Sequence, residues 1–384
     1  MTRPAFRAWA ARNPFTRPIA RRRTRALFDL CAGFVYAQTL SACVSLDLFE
    51  RLAAGPVALD ALARATEMPA LETLVRAAAG LDLLTLRHGQ VSLGPLGAAM
   101  VGNAGVVAMI AHHRLLYADL ADPVALLRGR GGMVGMVPAS AEPVEASAAR
   151  VPLTGPGPSV GTALGAYWAY AKAEQPAGLE AGAVAPYSAL MAASQPLVAA
   201  EILSAYPVRR HTRVLDVGGG EGAFLVAAAQ TAPLLRGTVF DLPAVATRAA
   251  ARFHNDGLSG RLDAVGGDVF QQAWPGGADL ISLVRVVHDH DDGRALHILR
   301  AAYAALPPGG TLLLAEPMAG THGAGGVGTY FSFYLLAMGS GQPRTRARLQ
   351  AMLKMSGFAE IRHRPTATPL LVSVLTARRP LRSV

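Results

Sequence analysis

Apolar and polar positions along this 384-residue chain change their period repeatedly, and the changes mark where its elements begin and end. Residues 28–52 form an apolar run with sparse polar punctuation, which predicts one long helix. Residues 59–66 and 68–79 repeat apolar positions at helical spacing and predict two helices joined by a tight turn. The runs 83–86 and 90–93 flank His88-Gly89, a hairpin signal. Two helices followed by a hairpin predict a winged helix. Between Arg128 and Gly165 the chain turns to Gly, Pro, Ala and Ser, which predicts a linker or insertion. From Ala166 helices lead into short apolar runs at 213–217, 237–242, 262–269, 279–287 and 311–316, each separated by helical stretches. Alternation of that kind predicts an α/β fold with five parallel strands. The runs 360–365 and 370–377 are too close for a crossover and predict an antiparallel hairpin at the sheet edge. The expected division is a segment 1–27, a helical winged-helix domain 28–127, the linker 128–165 and an α/β domain 166–384.

Chemistry enters at the strand tips. Arg213-Val-Leu-Asp-Val-Gly-Gly-Gly-Glu-Gly222 reads as a strand, a glycine loop and the start of an alanine-rich helix. The second strand ends in Phe240-Asp241-Leu242-Pro243 and the third in Gly267-Asp268-Val269-Phe270. Acids therefore stand at three successive strand tips, the edge where open parallel sheets bind ligands. Read loosely, Gly218-x-Gly220-x-x-Ala223 with Asp241 is also a dinucleotide fingerprint. Asp216 argues for another occupant. Its carboxylate would repel a pyrophosphate but attract the ammonium or sulfonium end of S-adenosylmethionine. Asp268 adds an acceptor suited to an adenine amino group. Asp216, Gly218, Gly220, Asp241, Leu242, Asp268 and Val269 are thus the expected cofactor-binding residues.

From about Leu27 onward the chain resembles the plant-type small-molecule O-methyltransferases. The resemblance implies a Rossmann-like S-adenosylmethionine-dependent methyltransferase sheet, with a winged-helix module that builds a homodimer. In that family a strand ends in His-Asp-Trp, and Val287-His288-Asp289-His290 stands at its place. The resemblance makes His288 the general base and Glu316 the acid that orients it. Two departures stand out. His290 replaces the tryptophan, and Pro343 replaces a second acid within 341–345. Tyr187 and Met191, four apart and so on one helix face, match acceptor-lining positions, as does Leu335. Tyr330-Phe-Ser-Phe-Tyr-Leu-Leu-Ala-Met338 forms an aromatic, uncharged wall suited to a long hydrocarbon alcohol. Passages such as 17–23, 28–36, 187–194 and 330–339 are similar to a bacterial branch of the family that methylates acyclic carotenoids. A bacteriochlorophyll precursor or a phenol is the neighbouring alternative.

Other readings compete for the same residues. The run His288-Asp-His-Asp-Asp292 mimics a metal cluster, but no second cluster follows and the expected site holds no metal. His297, His322 and His363 are isolated and expected at the surface. A winged helix can read DNA, yet residues 68–79 offer only Glu72 and Arg76 as polar contacts, so no nucleic-acid partner is expected.

Composition adds one asymmetry. Net charge is +10, yet eight arginines and no acid precede Phe28, leaving 28 basic residues against 26 acidic ones in the rest. Phe6, Trp9 and Phe15 are interleaved with these arginines, which suits an anionic membrane surface. A nucleic-acid tail, a transit peptide and an arm packed on a second subunit are the alternatives. The two cysteines, Cys31 and Cys43, fall in one helix about 18 Å apart and cannot bond each other. The expected setting is cytoplasmic and reducing, with peripheral contact to the inner or intracytoplasmic membrane. The uncharged windows 181–200 and 323–341 carry prolines or glycines and read as pocket-lining helices rather than membrane spans.

Overall fold

A computed structural model describes residues 3–129, 161–168, 178, 181–322 and 325–381. The expected linker therefore lies mostly outside the described residues. The chain forms two compact units, Met1–Ala111 and His112–Val384.

In the first unit a helix runs from Arg17 to Ser45, beginning and ending earlier than the expected 28–52. Pro18 sits in its first turn, where a missing N–H costs nothing. It ends where Asp47 takes a left-handed φ of 54°, and a short helix Leu48–Arg51 follows. Helices Leu59–Thr66 and Leu71–Ala79 come next. Strands β1 (Val57–Ala58), β2 (Leu84–Arg87) and β3 (Gln90–Leu93) form an antiparallel sheet in the order β1-β3-β2. His88 and Gly89 both have positive φ, as a two-residue hairpin turn requires. Leu48, Leu52, Leu62, Leu71, Val75, Leu84 and Val91 fill the core. The helix–helix–hairpin order expected from the sequence is present. Leu27, Phe28, Leu30 and Phe34 on helix Arg17–Ser45 are left exposed.

The second unit holds a seven-stranded sheet: β4 (Arg213–Val217), β5 (Arg236–Asp241), β6 (Leu262–Gly266), β7 (Leu280–Val284), β8 (Thr311–Glu316), β9 (Ala359–Arg364) and β10 (Ser373–Arg378). Their spatial order is β6-β5-β4-β7-β8-β10-β9. The first five are parallel, and β10 runs antiparallel to both β8 and β9. Residues 365–372 join the last pair, a longer connection than the expected four residues. Strands β7 and β8 are buried throughout, which is why they read as largely apolar runs, broken by Ser282 in β7 and by Thr311 and Glu316 at the ends of β8. Alternate residues feed two cores. Val214, Val239, Leu280 and Leu313 pack with Ile202, Phe224 and Phe253 on one face. Leu215, Phe240, Ile281 and Leu314 pack with Ile298, Leu299, Met352 and Leu353 on the other. Helices thus cover both faces.

Two strands stop short of the expected limits, and the shortening shapes the site. Strand β6 ends at Gly266 rather than 269, and β7 ends at Val284 rather than 287. Arg285, with φ of 57°, breaks β7, and Val287–Asp289 form a single 3₁₀ turn. Asp268 and His288 therefore stand on loops beyond the strands. The chain builds β4, β5 and β6 outward and then restarts at β7 on the opposite side of β4. A reversal of this kind opens a crevice at the carboxyl ends of β4 and β7.

Candidate active site

A cleft of roughly 1100 Å³ of atom-free space lies over this crevice, open to solvent. The glycine loop forms its floor. Gly218, Gly220 and Gly222 all adopt positive φ, and the Gly218 N–H donates to the Phe240 carbonyl at 2.9 Å. Gly218, Gly219, Gly220, Asp241, Leu242, Asp268 and Val269 line the cleft. Asp241 Oδ2 accepts the Gly220 N–H at 2.8 Å and Oδ1 accepts the Leu242 N–H at 2.7 Å. Each oxygen keeps a lone pair for a ribose hydroxyl. Burial pushes the Asp241 carboxyl up to about 6, against the lowering effect of those two N–H donors. Asp268, almost fully buried, accepts the Phe270 N–H on Oδ1 at 2.8 Å. Its second oxygen is then available to an exocyclic amine.

Asp216 corrects the sequence reading. It is 1% exposed and does not line the cleft. Strand alternation turns its side chain beneath the loop, where Oδ1 accepts a hydrogen bond from Ser282 at 2.6 Å. Ser282 is its register partner on β7. A Cβ on Gly219 would strike Asp216 Oδ2, so this carboxyl props the loop and fixes the need for glycine there. Burial raises its pKa to about 7; the Ser282 hydroxyl works against this, and the nearby Asp241 charge reinforces it.

Several cleft residues had no local sequence signal. Arg285 brings a cation, held by Ser194 Oγ at 3.1 Å and Gln195 Oε1 at 2.8 Å on helix Ala181–Ala205. Its unusual backbone conformation was the only hint, and that is invisible in sequence. A guanidinium at this point suits the carboxylate of an amino-acid tail. Phe270 lines the wall with the Arg294 guanidinium 4.9 Å over its ring, and His290 packs edge-on against it at 5.2 Å. Burial lowers the His290 pKa, so its ring is neutral beside the cleft. Trp168 supplies another aromatic surface. These groups fit S-adenosylmethionine: a glycine cradle, diol and amine acceptors, an apolar wall and a carboxylate partner.

His288 stands beside the cleft rather than in its wall, between Asp289 and Phe331. Its ring meets Phe331 edge-on at 5.6 Å. Nδ1 is hydrogen-bonded to Glu316 Oε2. Glu316 is itself fixed, because Oε1 accepts the N–H groups of Val286 at 3.1 Å and Val287 at 2.7 Å. Asp289 Oδ1 lies 3.2 Å from His288 Nε2. Burial lowers the imidazole pKa, but Asp289 and then Glu316 outweigh it and hold the group above its ordinary value. With Nδ1–H donating to Glu316, Nε2, which faces Asp289 Oδ1, is the nitrogen that can take up a proton. The expected pairing of His288 with Glu316 is thus present, and Asp289 is an acid the sequence reading did not assign to the pair.

The acceptor-lining expectations divide. Met191 lines the cleft, and the Tyr187 side chain lies outside the described residues. Leu335 is 1% exposed, packed with Leu116, Leu164 and Val245, and does not face the cleft. Its helix, Gly325–Met338, carries an unforeseen polar cluster. Tyr334 and Tyr330 pair with His112 and His113, each at 2.8 Å. Trp168 Nε1 donates to Tyr334 Oη at 3.0 Å, so this hydroxyl ties Trp168 to His112. Burial lowers His112 to about 4, helped by neighbouring His113, and raises both tyrosines. The cluster is therefore neutral. His297, His322 and His363 are exposed, as expected. Among the described residues no three His, Cys, Asp or Glu side chains converge as a metal requires.

Comparison with known proteins agrees with this geometry. Residues 170–359 match the family model of an O-methyltransferase domain. Demethylspheroidene O-methyltransferase of Cereibacter sphaeroides is 38% identical over 379 residues, covering 98% of this chain and 92% of the relative. Its namesake in Rhodobacter capsulatus is 38% identical over 96% of this chain and 85% of the relative. The solved structure of human N-acetylserotonin methyltransferase in complex with SAM superposes with a TM-score of 0.70 at 24% identity, over 93% of this chain and 97% of that one. A sheet of this order, a glycine cradle with two acids and a histidine–glutamate pair accompany near-full-length identity, and the chain belongs to the S-adenosylmethionine-dependent O-methyltransferase family.

Proposed function

We propose that this chain methylates the tertiary hydroxyl of an acyclic carotenoid of the demethylspheroidene kind, with His288 as general base. The observation that carries the reading is the His288–Glu316 pair fixed at the tips of β7 and β8 beside the cofactor cleft. The 38% identity across nearly the whole of two demethylspheroidene O-methyltransferases supports the acceptor class.

When bound, the cofactor supplies an electrophilic methyl group on a sulfonium. The chain's own residues do the rest. Asp241 and Asp268 would hold the nucleoside end and Arg285 the carboxylate end. His288 Nε2 would take the proton of the acceptor hydroxyl, freeing its oxygen to receive the methyl group as that group leaves sulfur. The resulting imidazolium is held between Glu316 and Asp289. A tertiary alcohol is far less acidic than a phenol, so proton removal must accompany methyl transfer in a site that excludes bulk water. Phe331, Phe270 and Trp168 supply apolar surface for that purpose.

We further propose that the protein acts as a homodimer docked peripherally on the cytoplasmic face of a membrane. Exposed Leu27, Phe28, Leu30 and Phe34 offer a second copy an apolar face, while the arginines at 17–25 attract anionic headgroups. The test of the activity is mass spectrometry of hydrophobic extracts incubated with the protein and methyl-labelled S-adenosylmethionine. A labelled methyl ether on a carotenoid supports the assignment; label on a phenol or a bacteriochlorophyll precursor alone replaces it.

A further inference from the structure

The stretch 340–344 closes over the turn that carries His288, and it bonds to that turn's backbone and to the Asp292 side chain that follows it. Ser340 Oγ donates to the Asp289 carbonyl, and the Gln342 N–H donates to the His288 carbonyl at 2.9 Å. Gly341 has φ of 87°, and a Cβ there would strike the His288 carbonyl. Arg344 completes the enclosure at 4% exposure. Its Nη1 donates to the Val287 carbonyl at 2.8 Å and its Nη2 to the His290 carbonyl at 2.7 Å. Nε donates to Asp292 Oδ1 at 2.8 Å. The two carbonyls bracket His288 in sequence. On its other side, the Arg344 carbonyl accepts the Ala319 N–H at 2.9 Å, three residues beyond Glu316. One residue therefore grips the turn of the base with its side chain and the loop of its acid with its backbone.

We propose that Arg344 is a positioning residue for methyl transfer, setting the distance and angle between His288 and Glu316. The proposal rests on His288 being the base. A planar guanidinium with donors in a fixed fork can hold both carbonyls and Asp292 at once; a lysine ammonium, a point charge on a flexible stem, cannot keep all three. Pro343, beside it, neither ionises nor donates, so this loop acts on the base through backbone geometry.

The experiment compares Arg344→Lys and Arg344→Ala with Arg348→Ala, which touches the same Asp292 at 2.5 Å but has no hydrogen bond to the carbonyls that flank His288. Binding of S-adenosylmethionine by calorimetry serves as the control for folding. The Arg344 variants are expected to bind cofactor normally while kcat falls roughly 10- to 100-fold, the scale of a small misplacement at a reacting centre. The acid limb of the kcat profile should move toward lower pH as the His288–Glu316 contact loosens. Added guanidinium ion should restore part of the Arg344→Ala rate, and Arg348→Ala should behave as the parent. If Arg344→Ala does not fold, the pH limb of Arg344→Lys decides. A lowered kcat with an unmoved limb and no rescue would overturn the proposal, as would parental kcat in both variants. A His288→Ala protein that still turns over removes the base reading itself, which separates the two failures.

Discussion

The backbone N–H of Gly220 donates to Asp241 Oδ2 at 2.8 Å, so the acid at the tip of β5 closes the glycine loop that follows β4. The same carboxylate accepts the Leu242 N–H and faces the cleft. It therefore has two tasks, shaping the cradle and presenting acceptors to a ribose diol. Replacing Asp241 by alanine removes both. Calorimetric affinity for S-adenosylmethionine should weaken by about 1.5–3 kcal/mol, the range of hydrogen bonds to a charged group. Asp241→Asn keeps one acceptor oxygen and should lose less. Equal affinity in all three proteins would show that the ribose is held elsewhere.

Turnover should depend on His288 far more than cofactor binding does. His288→Ala should bind S-adenosylmethionine like the parent yet lose roughly 10²–10⁴-fold in kcat, the usual contribution of a positioned general base. A single-turnover assay with labelled cofactor reads the chemical step directly. Loss of cofactor binding in step with kcat would point to a structural role instead.

The pH dependence of that step follows from the net upward shift at His288. A base must be neutral to accept a proton, so activity falls as pH drops through the raised pKa. The acid limb of kcat/KM should therefore lie above the ordinary imidazole value of about 6.5. Glu316→Gln removes one of the two carboxylates responsible and should shift the limb downward while lowering the rate. A limb that stays in place in Glu316→Gln would contradict the coupling.

The fold and the outline of this site were legible because each depends on local pattern. Buried strands β7 and β8 are mostly apolar, and His288 and Glu316 follow or end these runs as Asp241 and Asp268 do those of β5 and β6. Asp216 misled for a geometric reason. It precedes the loop in sequence, but alternation along β4 turns it under the loop toward Ser282. Arg285 and Trp168 carry no motif; the first reaches the cleft through a left-handed backbone, and the second arrives from a distant segment. The Tyr334–His112 pair spans 222 residues, a separation no periodicity can reveal. The end of β7 was overestimated because apolar residues continue into the loop, as Val286 and Val287 do.

That neutral cluster has its own signature. Folded His112 titrates near 4, whereas an unfolded histidine titrates near about 6.5. Below about 6.5 the unfolded chain takes up a proton that the folded one refuses, so stability is complete above that pH and is lost as pH falls toward 4. Urea unfolding followed from pH 7 to pH 4 should show this loss, and His112→Gln should reduce it. Tyr334→Phe should destabilise the fold by about 1–3 kcal/mol at neutral pH, because it strands the buried Trp168 N–H and His112 Nε2. A slope unchanged in His112→Gln would assign the acid sensitivity to other groups.

The basic segment and the acceptor pose one joint question. A carotenoid alcohol resides in lipid, so a protein that modifies it must reach the bilayer surface. Phe6, Trp9 and Phe15 are exposed among the arginines, and the helix beginning at Arg17 continues into exposed Leu27, Phe28 and Leu30. Each basic residue near an anionic surface contributes about 1 kcal/mol of attraction, and exposed aromatic rings suit the interface. Deleting residues 1–25 should therefore weaken co-sedimentation with anionic liposomes at low salt, while kcat on detergent-dispersed substrate is kept. Raising the salt should erase the difference between full-length and truncated protein, because screening acts on the arginines and not on the apolar face. Sedimentation velocity on the same truncated protein tests the competing use. If it still sediments with liposomes but dissociates into monomers, the segment holds two copies together and the membrane docks elsewhere.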